Sequence, residues 1–251
     1  MVPTHWMWPP RVPPPIPDPD EIHVWRAGLD LNAGDRERLL QTLSADEHAR
    51  REKYRFERNR DRFAAARGIL RQLLGGYLGV GAADLRFRYG PFGKPFLITT
   101  RENDDLLFNL AHAEELAVYA VSRARNVGVD LEHVRPALDW QKIAERFFAP
   151  REINFFQSLP PGERSSAFFK CWTRKEAYLK ARGEGLSLSL DSFDVSARSG
   201  ETAVVFTPQE GPGKALRWTL QDISIDEGFA AALAVEGSGF VVKYWQWPVV
   251  G

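Results

Sequence analysis

Cysteine is almost missing: Cys171 is the only one in 251 residues, so the chain forms no internal disulfide and builds no cysteine-ligated metal centre. Such usage fits a reducing compartment. Net charge is missing as well. Lys plus Arg and Asp plus Glu number 33 each, which gives no global attraction for nucleic acid or for an anionic membrane. No apolar run approaches the roughly 20 residues that span a bilayer, and prolines interrupt the N-terminus where a secretory signal needs a continuous apolar stretch. The expectation is a cytoplasmic protein with no nucleic-acid and no membrane partner. What is present is a chain 44% hydrophobic and 26% charged, enough to bury a substantial core.

Residues 1–20 carry eight of the 17 prolines and read as an extended lead-in. An N-terminal half over 21–125 follows, then a C-terminal half over 126–240 and a C-terminal tail over 241–251. In the first half, Ile22 to Trp25 reads as a strand and Ala45 to Leu78 as helix with one or two interruptions. The stretch Tyr89 to Pro95 reads as an irregular loop, because its prolines and glycines oppose regular structure. Leu106–Leu110 and Leu116–Ser122 read as a hairpin joined by a loop that contains His112. In the second half, Val127–Glu132 is a strand. Helical patterns cover Trp140–Phe148, Pro150–Leu159 and Glu163–Arg182, and short strands fall within 193–235. The small apolar strands Leu116–Val121 and Phe229–Val235 look like counterparts, as in an internal duplication, and a cleft between two similar halves is a natural ligand site.

In Val127-Gly128-Val129-Asp130-Leu131-Glu132 the strand period of two puts the apolar residues on one face and Gly128, Asp130 and Glu132 on the other. Carboxylates about 7 Å apart on one strand repel each other unless a cation lies between them. So few hard oxygen ligands suit Mg²⁺, which keeps positions free for water and substrate phosphate. Read without a ligand, the same pair is a solvated strand edge. Farther on, Phe168, Trp172 and Leu179 define an apolar helical stripe into which Lys175 falls, with Glu176 between Trp172 and Phe169. Charges in that setting need partners. A bound cation for Glu176 and a bound anion for Lys175 would supply them, and Lys180 stands one turn beyond Glu176. Arg50 to Arg62 holds seven basic and three acidic residues among aromatics, either a solvated helix face or an anion contact.

The sequence Gly-Val-Asp-Leu-Glu at 128–132, followed by Phe-Lys-Cys-Trp-Thr-Arg-Lys-Glu-Ala-Tyr-Leu-Lys-Ala from Phe169 and then Gly-Glu-Gly-Leu-Ser, resembles the paired signature of the Sfp-type 4′-phosphopantetheinyl transferases. Gly93 to Leu97, Phe108 to Ala113, and Arg146-Phe147-Phe148 with Glu152 match the same family in the same order. The resemblance implies an α+β fold with a pseudo-twofold arrangement of two similar halves, each a long helix packed on an antiparallel meander. It implies coenzyme A as donor, Mg²⁺ as cofactor and a serine of an apo acyl or peptidyl carrier protein as acceptor, in fatty acid, polyketide or nonribosomal peptide biosynthesis. An internally duplicated chain of this kind is expected to work as a monomer.

Carried across residue by residue, the resemblance makes Asp130, Glu132 and Glu176 the metal ligands. Glu176 also becomes the base for the carrier serine, with Glu152 a second candidate, and Lys180 serves the leaving phosphate. Arg50, Lys53 and Arg62 align with residues that grip the 3′-phosphate of coenzyme A, while Lys94, His112 and Lys175 add contacts to the same cosubstrate. Two positions depart from the family pattern. Ala111 stands where a serine is usual, removing a hydroxyl donor, and Phe63 stands where some relatives carry a small hydroxyl residue. Alternatives from other classes are a Mg²⁺-dependent phosphohydrolase, a coenzyme A-binding scaffold, and a nucleic-acid binder using residues 50–62, whose binding would fall steeply with salt.

Overall fold

A computed structural model describes residues 6, 7, 15–98, 106–135, 137–183, 188–195 and 218–248, together with the backbone of 203–206. Along the first half run β1 (Glu21–Gly28), α1 (Ala33–Leu40), α2 (Ala45–Arg51), α3 (Glu57–Leu78), β2 (Phe87–Tyr89), β3 (Pro95–Leu97), β4 (Leu107–Ala113) and β5 (Leu116–Ser122). The second half follows with β6 (Val127–His133), α4 (Trp140–Phe147), α5 (Pro150–Ser158), α6 (Pro161–Arg182), β7 (Asp194–Val195), β8 (Ala203–Phe206), β9 (Trp218–Asp222) and β10 (Phe229–Glu236). After it comes β11 (Val241–Gln246).

Two sheets and two long helices form four layers. One sheet has the order β11-β1-β5-β4 and the other β6-β10-β9-β8-β7. Strand alternation assigns each side chain to a layer. On β1 and β5, Trp25, Ala27, Tyr119 and Val121 face α3, where Ile69, Leu70, Leu73 and Leu74 complete one core. Ile22, Val24, Val118 and Ala120 face the opposite way and meet Val127, Val129, Leu131, Ala231, Leu233 and Val235 of the second sheet. On the far side, Ala230, Ala232 and Ala234 of β10 receive α6 through Phe169, Ala177 and Tyr178. Small side chains on β10 let the helix come close. Within the two sheets, β1-β5-β4 and β6-β10-β9 repeat one strand arrangement, with a helix of 22 residues after the first strand of each. Both helices stop at a glycine in left-handed backbone, Gly79 (φ 64°) and Gly183 (φ 72°), a conformation that side chains disfavour and that satisfies the terminal carbonyls.

Several expectations need correction. Within the expected tail over 241–251, residues Val241–Gln246 form β11, which lies parallel to β1 with Val241 opposite Glu21 and Trp245 opposite Trp25. The open edge of β1 thereby gains hydrogen bonds, and Trp245 and Trp247 enter the α3 core. The lead-in also contributes structure, since Trp6 is buried, its indole N–H donates to the Ser224 carbonyl at 3.1 Å, and Met7 bridges to Trp245. His112 lies on β4, which continues to Ala113, so the connecting loop shrinks to Glu114 and Glu115. Tyr89 and Pro95 pair across the β2–β3 ribbon. Proline is tolerated there because it occupies the first strand position, where no donor is needed. Helix α1, capped by Asn32 accepting from the Asp35 N–H at 2.8 Å, had no counterpart in the sequence reading. The Glu184-Gly185 loop and residues 196–202 and 207–217 of the expected strand region lie outside the described residues.

Candidate active site

Gly128 decides how closely β6 approaches α6. A Cβ on Gly128 would collide with the Ala177 carbonyl oxygen and with the Ala181 backbone, so only glycine allows the strand to lie on the helix. Its Gly-Asp-Glu face is therefore no solvated edge: Asp130 is only 4% exposed, because α6 covers it. From Cys171 onward, α6 is buried except at Trp172, Glu176, Lys180 and Arg182. The first three recur every four residues and form one stripe beside β6.

Lys180 Nζ donates to Asp130 Oδ1 at 2.5 Å. The other Asp130 oxygen is buried and has no hydrogen-bond partner among the described residues. Burial pushes the Glu176 pKa up, and the Asp130 carboxylate pushes it further, against the pull of Lys180. Glu132 is raised in the same way, first by burial and then by Asp130. Asp130 acts on both glutamates and Glu132 acts on Glu176, so the three carboxylates share one electrostatic environment, as an unneutralised cation site does. Among the described residues no three metal-binding side chains are already gathered at ligand distance. Lys180 stands as the cation nearest Asp130.

Beside this stripe lies a cleft of about 300 Å³ whose walls include Gly93, Lys94, Asn109, Glu176 and Lys180. The β2–β3 turn delivers Lys94, whose Nζ donates to the Ala181 carbonyl at 2.8 Å. Burial lowers its pKa to about 8. His112 sits at the solvent side of β4, and its pKa is lowered first by the loss of water to surrounding protein and then by the Lys180 charge. Asp130, Glu132, Glu176, Lys180, Lys94 and His112 are thus brought into one neighbourhood.

Other predicted residues lie elsewhere. Lys175 has no exposure and Glu152 1%, and they bind each other at 2.8 Å. Lys175 also donates to the carbonyls of Leu190 at 2.7 Å and Phe193 at 2.5 Å, while Glu152 accepts from the N–H groups of Ala149 and Val195. The anion beside Lys175 is a protein carboxylate, and the pair lies in the core rather than on the cleft wall. Arg62 is 4% exposed and held by Asp30 at 2.7 and 2.8 Å and by Glu114 at 3.0 Å, so its charge is already matched inside the protein. Arg62 in turn keeps the Asp30 pKa down at about 2. Arg50 stacks over the Tyr89 ring at 3.9 Å, and Lys53 is exposed. Ala111 is buried between the sheets, and Phe63 packs on Tyr54. Sequence reasoning gave no role to Asn109, which lines the cleft, and no steric role to Gly128. A glycine inside a strand was the available signal for the latter.

Two family profiles match the chain. One, described as 4′-phosphopantetheinyl transferase superfamily, covers residues 126–234; the other, described as 4′-phosphopantetheinyl transferase, N-terminal, covers residues 33–124. The division between them falls between β5 and β6. The chain is 42% identical over 243 residues to 4′-phosphopantetheinyl transferase HetI of Nostoc sp., covering 96% of this chain and 98% of that one. To 4′-phosphopantetheinyl transferase Sfp of Bacillus subtilis it is 23% identical over 211 residues, 84% of this chain and 89% of the relative. Among solved structures, the holo-(acyl-carrier-protein) synthase of Bacillus anthracis in complex with CoA (3′,5′-ADP) is similar at 25% identity with a TM-score of 0.37, covering 45% of this chain and 96% of that chain.

Proposed function

Because the chain belongs to the 4′-phosphopantetheinyl transferase superfamily, we propose that it moves the 4′-phosphopantetheine arm of coenzyme A onto a serine of an apo carrier protein, releasing 3′,5′-ADP. The observation that carries this reading is the meeting of Asp130 and Glu132 on β6 with Glu176 and Lys180 on α6, at a cleft that also holds Lys94. The repeated strand arrangement supports a pseudo-twofold fold with the cosubstrate between its halves.

The residues fit a magnesium ion. Asp130 keeps one buried oxygen without a partner, Glu132 and Glu176 repel Asp130, and oxygen donors suit this cation. Asp130, Glu132 and Glu176 would hold it, and when bound it would neutralise charge on the diphosphate. Each side chain then has its own task. Glu176, on the wall of the cleft, takes the proton of the carrier serine. Lys180, already at the carboxylates, offsets charge on the departing phosphate, and Lys94, held at the end of α6, fixes the diphosphate. Glu152, sealed in the core, leaves Glu176 as the base within reach of the cleft.

The test is mass spectrometry of an apo carrier incubated with coenzyme A, Mg²⁺ and the protein. A phosphopantetheine adduct is expected with wild type and not with Asp130→Ala or Glu176→Ala. Full activity in both variants would overturn the assignment, and release of 3′,5′-ADP without an adduct would assign water as the acceptor.

A further inference from the structure

Strands β4 and β6 end their respective sheets, so each carries backbone donors that its own sheet leaves unpaired. The Val129 N–H finds its partner outside the sheet, in Asn109 Oδ1 at 2.9 Å. Asn109 lies on β4, is 5% exposed, and sits next to Phe108, which faces the α3 core. Its side chain thus joins the two sheets at the residue preceding Asp130. A backbone donor buried here without Asn109 would cost the full desolvation of that group.

This bond also fixes the amide. With its oxygen committed to Val129, the NH₂ group faces the other way. No partner for it is found among the described residues, and Asn109 lines the cleft together with Lys94, Glu176 and Lys180. A neutral donor between two ammonium groups and a carboxylate suits an oxygen acceptor.

We infer that Asn109 is a two-sided positioning residue: its oxygen holds β6 so that Asp130 faces α6, and its NH₂ donates to an acceptor oxygen of the cosubstrate in the cleft. This rests on the proposed use of coenzyme A. Ammonium groups alone attract any anion, whereas an oriented NH₂ selects where its oxygen lies. Asn109 accordingly bears both on the geometry of the carboxylates and on affinity for the donor.

Asn109→Asp and Asn109→Ala separate the two sides. Aspartate keeps an acceptor for the Val129 N–H but loses the donor; alanine loses both. Aspartate also adds a negative charge beside Asp130 and Glu176. With coenzyme A and an apo carrier, Asn109→Asp is therefore expected to lower the thermal midpoint modestly while its KM for coenzyme A rises at least tenfold, and nitrogen-15 spectra of wild type separate donor loss from that charge. Asn109→Ala is expected to lower the midpoint and to reduce kcat as well as raise KM. An unchanged KM in Asn109→Asp, with an active wild type, overturns the donor role alone, and wild-type kcat in Asn109→Ala overturns the positioning role. A wild type that neither binds coenzyme A in calorimetry nor modifies the carrier overturns this inference together with the reading it rests on. Should a variant fail to fold, nitrogen-15 spectra of wild type decide the donor role, because the Asn109 NH₂ resonances must shift when coenzyme A is added and an unmoved pair overturns it.

Discussion

Gly128 and Ala177 touch so closely that no side chain fits between β6 and α6. A methyl group there meets helix backbone, which cannot swing aside as a side-chain end can. Gly128→Ala is expected to cost about 2 kcal/mol through overpacking, a fall of roughly 4–8 °C in thermal midpoint for a chain of this size. Turnover should fall with it, since β6 carries Asp130. Gly162, with open space around its Cβ position, provides the control and should accept alanine without loss. Scanning fluorimetry of both variants checks this, and equal midpoints would refute the steric reading.

The Lys175–Glu152 pair is buried and closed on itself, and a structural role predicts its energetics. Removing one member of a buried pair costs about 3–5 kcal/mol because the survivor remains charged and unsatisfied. Lys175→Met should therefore lower the urea midpoint strongly, and adding Glu152→Gln should recover part of the loss. If Lys175 instead held the cosubstrate, Lys175→Met would raise KM for coenzyme A with stability little changed.

Acid should destabilise the protein through His23. Burial lowers its pKa to about 4, with Nδ1 2.7 Å from the Tyr77 hydroxyl and 2% exposure. Between the ordinary value near 6.5 and about 4 the unfolded chain takes up the proton and the folded one does not, so stability present at pH 7 is lost as pH falls through that window. The His23 share is roughly 3 kcal/mol. Urea unfolding of wild type and His23→Asn from pH 7 to pH 4 should show a shallower decline in the variant; parallel declines would exclude this source.

Alkali should weaken cosubstrate capture through Lys94. With its pKa at about 8, the free protein loses this ammonium above that pH, and kcat/KM for coenzyme A should fall there, approaching roughly tenfold per unit if the charge is essential. Lys94→Gln should start lower and lose the step. A step unchanged in Lys94→Gln would assign it to another group.

What the sequence revealed follows from the range of each signal. Alternation along β6 placed Gly128, Asp130 and Glu132 on one face correctly, since a strand's period is local. That α6 covers this face, and that both faces of β5 and β10 are buried, depends on layers local patterning does not encode. Lys175 was legible as a charge in an apolar stripe, whereas its partner sits on another helix, and an external anion was the nearest available answer. Arg62 stood out as basic, but Asp30, Glu114 and Glu115 reach it from two separate segments. Strand β11 was missed because its partner β1 lies at the opposite end of the described chain.

That parallel pairing of β11 with β1 also governs the order of events during synthesis. Strand β1 emerges early from the ribosome and leaves one edge open until residues 241–246 arrive, which at elongation rates of about 5–20 residues per second takes on the order of ten seconds or more. A long-range closure of this kind slows folding, and for that interval the unpaired edge offers another chain a template for pairing. Shortening the chain before Val241 would make that exposure permanent.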